Sequence, residues 1–266
     1  MRNILKRLTS RHWLFITVSG CLLAGFEFLL CAMVSTVDIV GAFSELTKTF
    51  PLFLRTLIEQ QLFGVMSTAG ILAFGWNHPI TLALGTAIAI VLASRTVAGE
   101  IESGTLELIM SQPISRREYL TGHIVFAFFS LAFISLLGAG GTLLGQYVYD
   151  FQAFRVPSLF QLIVNYCLLN AAWYGITLLI SVYGREAGRV ATIGFLLALI
   201  SYFLNVIGQL WDKAGFLLPY SLHTYYSPKQ ILVENIFPTL NLTLLSILTI
   251  ITISAAYWKF LRRDLP

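Results

Sequence analysis

The residue types able to do chemistry are few in this chain and lie far apart. His12, His78, His123 and His223 are widely separated, so no two stand at metal-ligand spacing. Hydrogen bonding near helix ends is their expected role. Cys21, Cys31 and Cys167 lie inside apolar stretches. An odd, unspaced set of this kind is neither a disulfide framework nor a metal site. The Gly-x-x-x-x-Gly-Lys-Ser/Thr run that would cradle a nucleotide phosphate does not occur. An intramembrane protease would need a nucleophile–His pair or a histidine cluster at membrane depth, and the histidine positions offer neither. The acidic residues remain: Glu100, Glu102 and Glu107 close together, and Glu27 alone in an apolar run. Their chemistry is recognition and charge placement, not bond making, and no catalytic residue, metal or cofactor is expected on this chain.

The acidic cluster lies in the most informative stretch, residues 95–121. Gly104 frees the backbone ahead of a short helix. Leu106, Ile109 and Met110 stand at i, i+3 and i+4 and make one apolar face. Glu100, Glu102 and Glu107 surround the helix start, where the dipole favours negative charge. Pro113 ends the helix. Ser115 then opens a capping box with Glu118, flanked by Ile114 and Tyr119 as a hydrophobic staple, and Arg116 sits in the first turn of the helix that follows. A water-exposed helix with an apolar face either enters a groove on a partner protein or lies flat on lipid headgroups.

The elements that position this loop are membrane helices. The chain has 266 residues, is 57% hydrophobic and carries only 11% charged residues, against about 25% in a soluble domain. Its apolar runs lack the alternation of barrel strands, so an all-α helical bundle, a single transmembrane domain over 1–266, is the expected fold. A span needs about 20 apolar residues. Trp13–Val34, Pro79–Ser94, His123–Tyr147, Phe160–Tyr183, Val190–Leu210 and Leu240–Trp258 are the six candidates. Pro79 suits the first turn of its helix. The run Leu62–Trp76 is expected to be interfacial or re-entrant, and Phe216–Pro238 to dip into the outer leaflet. Residues 1–11 read as a short amphipathic helix on the inner surface. Val18-Ser19-Gly20-Cys21 imitates a lipoprotein cleavage box, but the apolar run continues to about Val34, so cleavage is not expected.

Charge placement orients the bundle. With both termini inside, the outer segments hold five basic residues, Lys48, Arg55, Arg155, Lys213 and Lys229, leaving 12 of the 17 Lys and Arg inside. This asymmetry obeys the positive-inside rule. It also accounts for the net charge of +4 without any nucleic acid partner. The loop Gly184–Arg189 offers a second inner contact or a simple positive-inside anchor.

Within the spans, Glu27 must face the bundle and find a donor or be protonated. It is either a substrate or ion contact, or a structural hydrogen bond. Asn165, Asn170 and Asn205, with Gln209, are either pathway residues or polar glue between helices. Gly141 and Gly145 have GxxxG spacing, which fits either a dimer seam or close packing inside one subunit.

The stretch Glu100, Glu102, Gly104, Thr105, Leu106, Glu107, followed by Pro113, Ile114, Ser115 and Arg116, resembles the permease subunit of type 2 ABC transporters. The similar branch includes the permease for nitrous oxide reductase maturation and several drug- and ion-export permeases. The layout of spans matches over nearly the whole chain. Gly122-His123 stands where the family often has Gly-Lys. The resemblance implies a bacterial inner-membrane protein in which two copies form the pathway or moving element. Two cytosolic ATPase subunits, which carry the ATP and Mg, would grip the Glu100–Met110 coupling helix, with Thr105, Leu106, Glu107, Ile109 and Met110 as contacts. It implies an exporter or, alternatively, a transmitter that passes the work of ATP hydrolysis to an extracytoplasmic partner protein without moving solute. A polar bundle interior favours transport; a packed apolar interior under an ordered outer surface favours the transmitter.

Overall fold

The computed structural model describes residues 2–36 and 67–263. Their elements are α1 (Arg2–Thr36), α2 (Thr68–Trp76), α3 (Pro79–Thr96), α4 (Ala98–Glu102), α5 (Thr105–Met110), α6 (Arg116–Val148), α7 (Val156–Tyr183) and α8 (Ala187–Leu210). Two 3-10 segments, Asp212–Tyr220 and Leu222–Tyr225, then lead to α9 (Pro228–Leu232) and α10 (Thr239–Arg262). No strand occurs among the described residues. Six stretches are long and apolar enough to cross a membrane: α1, α2 with α3, α6, α7, α8 and α10. The chain is an all-α, multi-pass membrane bundle.

α7 is the hub of that bundle. Of its most apolar 18-residue stretch, 61% is buried inside the protein, against 28% for α8 and α10. It packs on α3, α6, α8 and α10. The outer helices instead expose Leu, Ile and Phe side chains, as lipid requires.

α1 and α6 lie together along most of their length. A Cβ at Gly141 would come 2.1 Å from the Ala24 carbonyl oxygen, and one at Gly145 would come 2.5 Å from Cys31 Cβ. The GxxxG pair therefore joins two helices of one chain, since only a residue without a side chain lets the backbones approach so closely.

Two expectations change. Residues 2–11 are not a separate surface helix. They are the opening turns of α1, which runs unbroken for 35 residues, about 50 Å. The first glycine comes only at Gly20 and no proline occurs in α1, so nothing stops the helix at the span boundary. Ile4 and Leu8 are buried in the protein. Of the two readings of Leu62–Trp76, the described part contradicts the interfacial one and keeps the re-entrant one; residues 62–66 lie outside the described residues. Thr68–Trp76 is helical, its Leu72 and Trp76 are fully buried, and it adjoins α3 in one 29-residue apolar stretch. Protein covers it in place of headgroups. Trp76 donates through Nε1 to Thr142 Oγ1 of α6 at 3.2 Å, and Tyr226 Oη donates to the Trp76 carbonyl at 3.1 Å. Asn77 and His78 break the helix, and Pro79 starts α3 in its first turn as its missing N–H allows.

The Phe216–Pro238 region forms an ordered cap over one end of the bundle. Its buried His223, Tyr226, Ile231 and Leu232 rest on α2, α7 and α8. The opposite end gathers the start of α1, the α3–α6 connection, the α7–α8 turn and the end of α10. It carries the ion pairs of the described residues.

Candidate coupling site

The α3–α6 connection is held by partners distant in sequence. Where α3 ends, the amides of Val97 and Ala98 donate to Ser181 Oγ of α7 at 3.4 and 3.1 Å, and that hydroxyl donates to the Ser94 carbonyl at 3.1 Å. Tyr119 Oη of α6 donates to the Thr96 carbonyl at 2.5 Å. The backbone groups freed by the break are thus paired inside the protein, as buried amides and carbonyls require. Gly104 takes a φ of +66° between α4 and α5, a left-handed conformation that glycine adopts without strain.

Glu100 is the electrostatic centre. Its side chain is 3% exposed and accepts from Arg7 Nη2 at 3.1 Å and Arg11 Nη1 at 2.6 Å. Thr105 Oγ1 also donates to it. Burial alone raises the Glu100 carboxyl; the Thr105 hydroxyl and the Arg7 and Arg11 guanidiniums outweigh burial and hold it below its ordinary value. Glu102, exposed, accepts from the Ala187 amide at 2.8 Å. This is the first residue of α8, whose N-terminal partial positive charge a carboxylate complements. No residue next to α8 caps it with a side chain; Glu102 does so from 85 residues away.

The other helix ends here are matched by the opposite sign. Arg263 donates to the carbonyls of Val182 and Gly184 at the end of α7. Arg116 Nη1 donates to the Arg263 carbonyl at 2.6 Å, just beyond α10. Guanidiniums at C-termini and carboxylates at N-termini make this end a set of tied helix dipoles.

The structure places the expected residues on two sides of the loop. Leu106 and Ile109 turn inward and are buried in the core, and Met110 packs against that core while partly exposed. The apolar face expected to await a partner is therefore already covered by this chain. Glu107 and Pro113 are exposed, and Leu108 is 67% exposed on α5. Ser115 caps α6, accepting from the Glu118 amide at 3.1 Å. Gly122 and His123 are buried; a Cβ at 122 would meet Ile4, and the His123 ring lies 4.3 Å from that of Tyr119. Sequence reasoning missed Arg7, Arg11, Ser181 and Leu108. The spacing of Arg7 and Arg11, one helical turn apart, is the sequence signal that one acidic partner could satisfy both.

The intramembrane polar residues are mostly spent on packing. Asn165 donates to the Tyr225 carbonyl at 3.1 Å and accepts from the Ser227 amide at 3.0 Å, which pins the cap to α7. Asn205 Oδ1 accepts from Gln209 at 3.0 Å and from Thr224 at 3.1 Å. Asn170 donates to the Tyr166 carbonyl at 2.8 Å and accepts from Thr86 at 3.4 Å. Glu27 differs. It is fully buried, its Oε1 lies 3.3 Å from Thr81 Oγ1, and its Oε2 has no hydrogen-bond partner among the described residues. An apolar groove of about 310 Å³ opens between α3 and α8, with Leu82, Thr86, Phe195, Tyr202 and His223 in its lining.

A loop anchored to four spans at the charged end, with an exposed acidic and apolar tip, can receive force from a partner and pass it into the bundle. Among curated proteins no match to this chain is found. The family model for "ABC-2 family transporter protein" matches residues 7–265, from the first glutamate-binding arginine to beyond the Arg263 clamp. The chain belongs to the ABC-2 family of transporters, as the membrane-spanning permease subunit that works with an ABC ATPase.

Proposed function

We propose that two copies of this chain form the membrane part of an exporter in the bacterial inner membrane. Each copy is gripped at α5 by one of two cytosolic ATPase subunits, which bind the ATP and Mg. The observation that carries this reading is the exposed pair Glu107 and Leu108, the latter 67% exposed, on a helix whose opposite face, Leu106 and Ile109, is locked in the core. An apolar side chain that stands in water on a rigid mount fits a groove on a partner. Movement of α5 then carries α6 directly, through residues 111–115. The groove between α3 and α8 suits an apolar solute, and a second copy would close it. Co-purification with the ATPase tests the docking. Replacing Glu107 with Lys and Leu108 with Asp removes the ATPase from the purified complex and leaves the bundle folded. Full ATPase recovery with this double variant would overturn the reading.

A second reading has its own support. Asn165 and Asn205 are committed to the cap, and the cap is ordered and packed on α2, α7 and α8. A permease that works as a transmitter would present such a surface to an extracytoplasmic partner and drive it without passing solute.

A further inference from the structure

α4 stands between two membrane helices that the chain does not connect to it directly. Glu100 and Glu102 are two residues apart, so they project about 200° apart around the helix axis at 3.6 residues per turn. One reaches α1, through Arg7 and Arg11; the other reaches the first amide of α8. Thr105, the first residue of α5, bonds to the Glu100 carboxylate. Any displacement of α5 therefore acts on the acid that holds α1. Both ties are charge-assisted, and such bonds hold direction as well as distance.

We propose that Glu100 and Glu102 are positioning residues that divide the movement of the coupling loop between two spans: Glu100 delivers it to α1 and Glu102 to α8. The two carboxylates are thus internal linkages of the permease, and the ATPase is met by Glu107 and Leu108. This inference rests on the coupling reading above. It makes α1 a driven element whose first turns follow α5, while the GxxxG seam passes that motion to α6.

The test uses the full permease–ATPase complex in lipid nanodiscs, with Cys21, Cys31 and Cys167 replaced by serine. Spin labels at Ser10→Cys in α1 or Thr192→Cys in α8 are each paired with Ser254→Cys in α10. ATP-dependent distance changes are then read. Arg7→Ala with Arg11→Ala, both at exposed positions, is expected to abolish the α1 displacement and keep that of α8. Glu102→Ala is expected to do the reverse, and Glu100→Gln to weaken the α1 displacement. A merely structural role would leave both displacements intact or lose both together. Either result overturns the proposal, as does the absence of any ATP-dependent displacement in the unsubstituted complex. ATPase recovery is measured in the same samples. Loss of the ATPase from the arginine or Glu102 variants places these residues in the docking face, which also overturns the proposal. Retention of the ATPase by the Glu107 and Leu108 variant overturns the docking reading alone.

Discussion

The two ends of the bundle are held by different chemistry. At the charged end, ion pairs and charged helix-end contacts tie α1, α4, α7, α8 and α10: Glu100 with Arg7 and Arg11, Glu102 at the start of α8, and Arg263 at the end of α7. At the opposite end, neutral side chains bond to backbone and to one another. Ser221 donates to the Ser201 carbonyl at 2.6 Å, and Ser201 Oγ lies 3.0 Å from His223 Nδ1. Asn165 and Asn205 do the rest. Ionic ties are strong in direction yet exchangeable with water, since Arg7 and Arg11 remain 47% and 40% exposed. Neutral ties in a buried cap cost too much to leave unmade. On the exporter reading proposed above, the charged end is the part that moves and the cap is the part that stays.

Four experiments break or sharpen that contrast. The largest effect is expected from Glu107→Lys with Leu108→Asp, which removes ATPase co-purification while thermal stability holds. Next comes Asn165→Leu in the cap. It leaves the Tyr225 carbonyl and Ser227 amide unpaired and costs about 2 kcal/mol, read as a lower unfolding temperature in detergent without loss of ATPase binding. Should Asn165→Leu release the ATPase, the two ends are one cooperative unit and the contrast fails.

The third experiment probes the cap by pH. Burial pushes His223 down to about 4 from 6.5. A group with a depressed folded value contributes stability that is complete above its unfolded value and is lost as pH falls through the folded one. The His223 contribution is therefore complete above pH 6.5 and fades towards pH 4. Glu100 obeys the same sign at lower pH: its contribution is full above the ordinary carboxylate value and disappears as pH falls through its depressed value. Hydrogen exchange in the cap should rise as pH falls from 6.5 towards 4, and His223→Phe should remove that rise. The smallest effect is expected from Ser115→Ala, which loses one cap hydrogen bond and about 1 kcal/mol, visible as a small shift in unfolding temperature.

Much of the molecule was legible in local sequence. Pro79 opens α3, Ser115 caps α6 and Gly104 supplies the left-handed turn. These features depend on a residue and its near neighbours, so the sequence holds their whole cause. The continuity of α1 was missed because a basic, half-polar start resembles a surface helix by composition. What it packs against decides otherwise.

The faces of α5 were not legible for a related reason. Its six residues carry apolar side chains on both sides, Leu106 and Ile109 on one and Leu108 on the other. Periodicity reports that a face is apolar and says nothing of which face the rest of the chain already covers. The roles of Glu100 and Glu102 depend on Arg11 and Ala187, 89 and 85 residues away. The GxxxG pair likewise left its partner open until α1 lay against it.

By itself the sequence determined that this chain lives in a membrane as a helical bundle. That outcome follows from solvent transfer, which is a sum over residues. Only the tertiary structure decided which carboxylate holds which helix and which side of the loop faces outward. Those outcomes follow from close contact between distant segments, and contact exists only once the chain is packed.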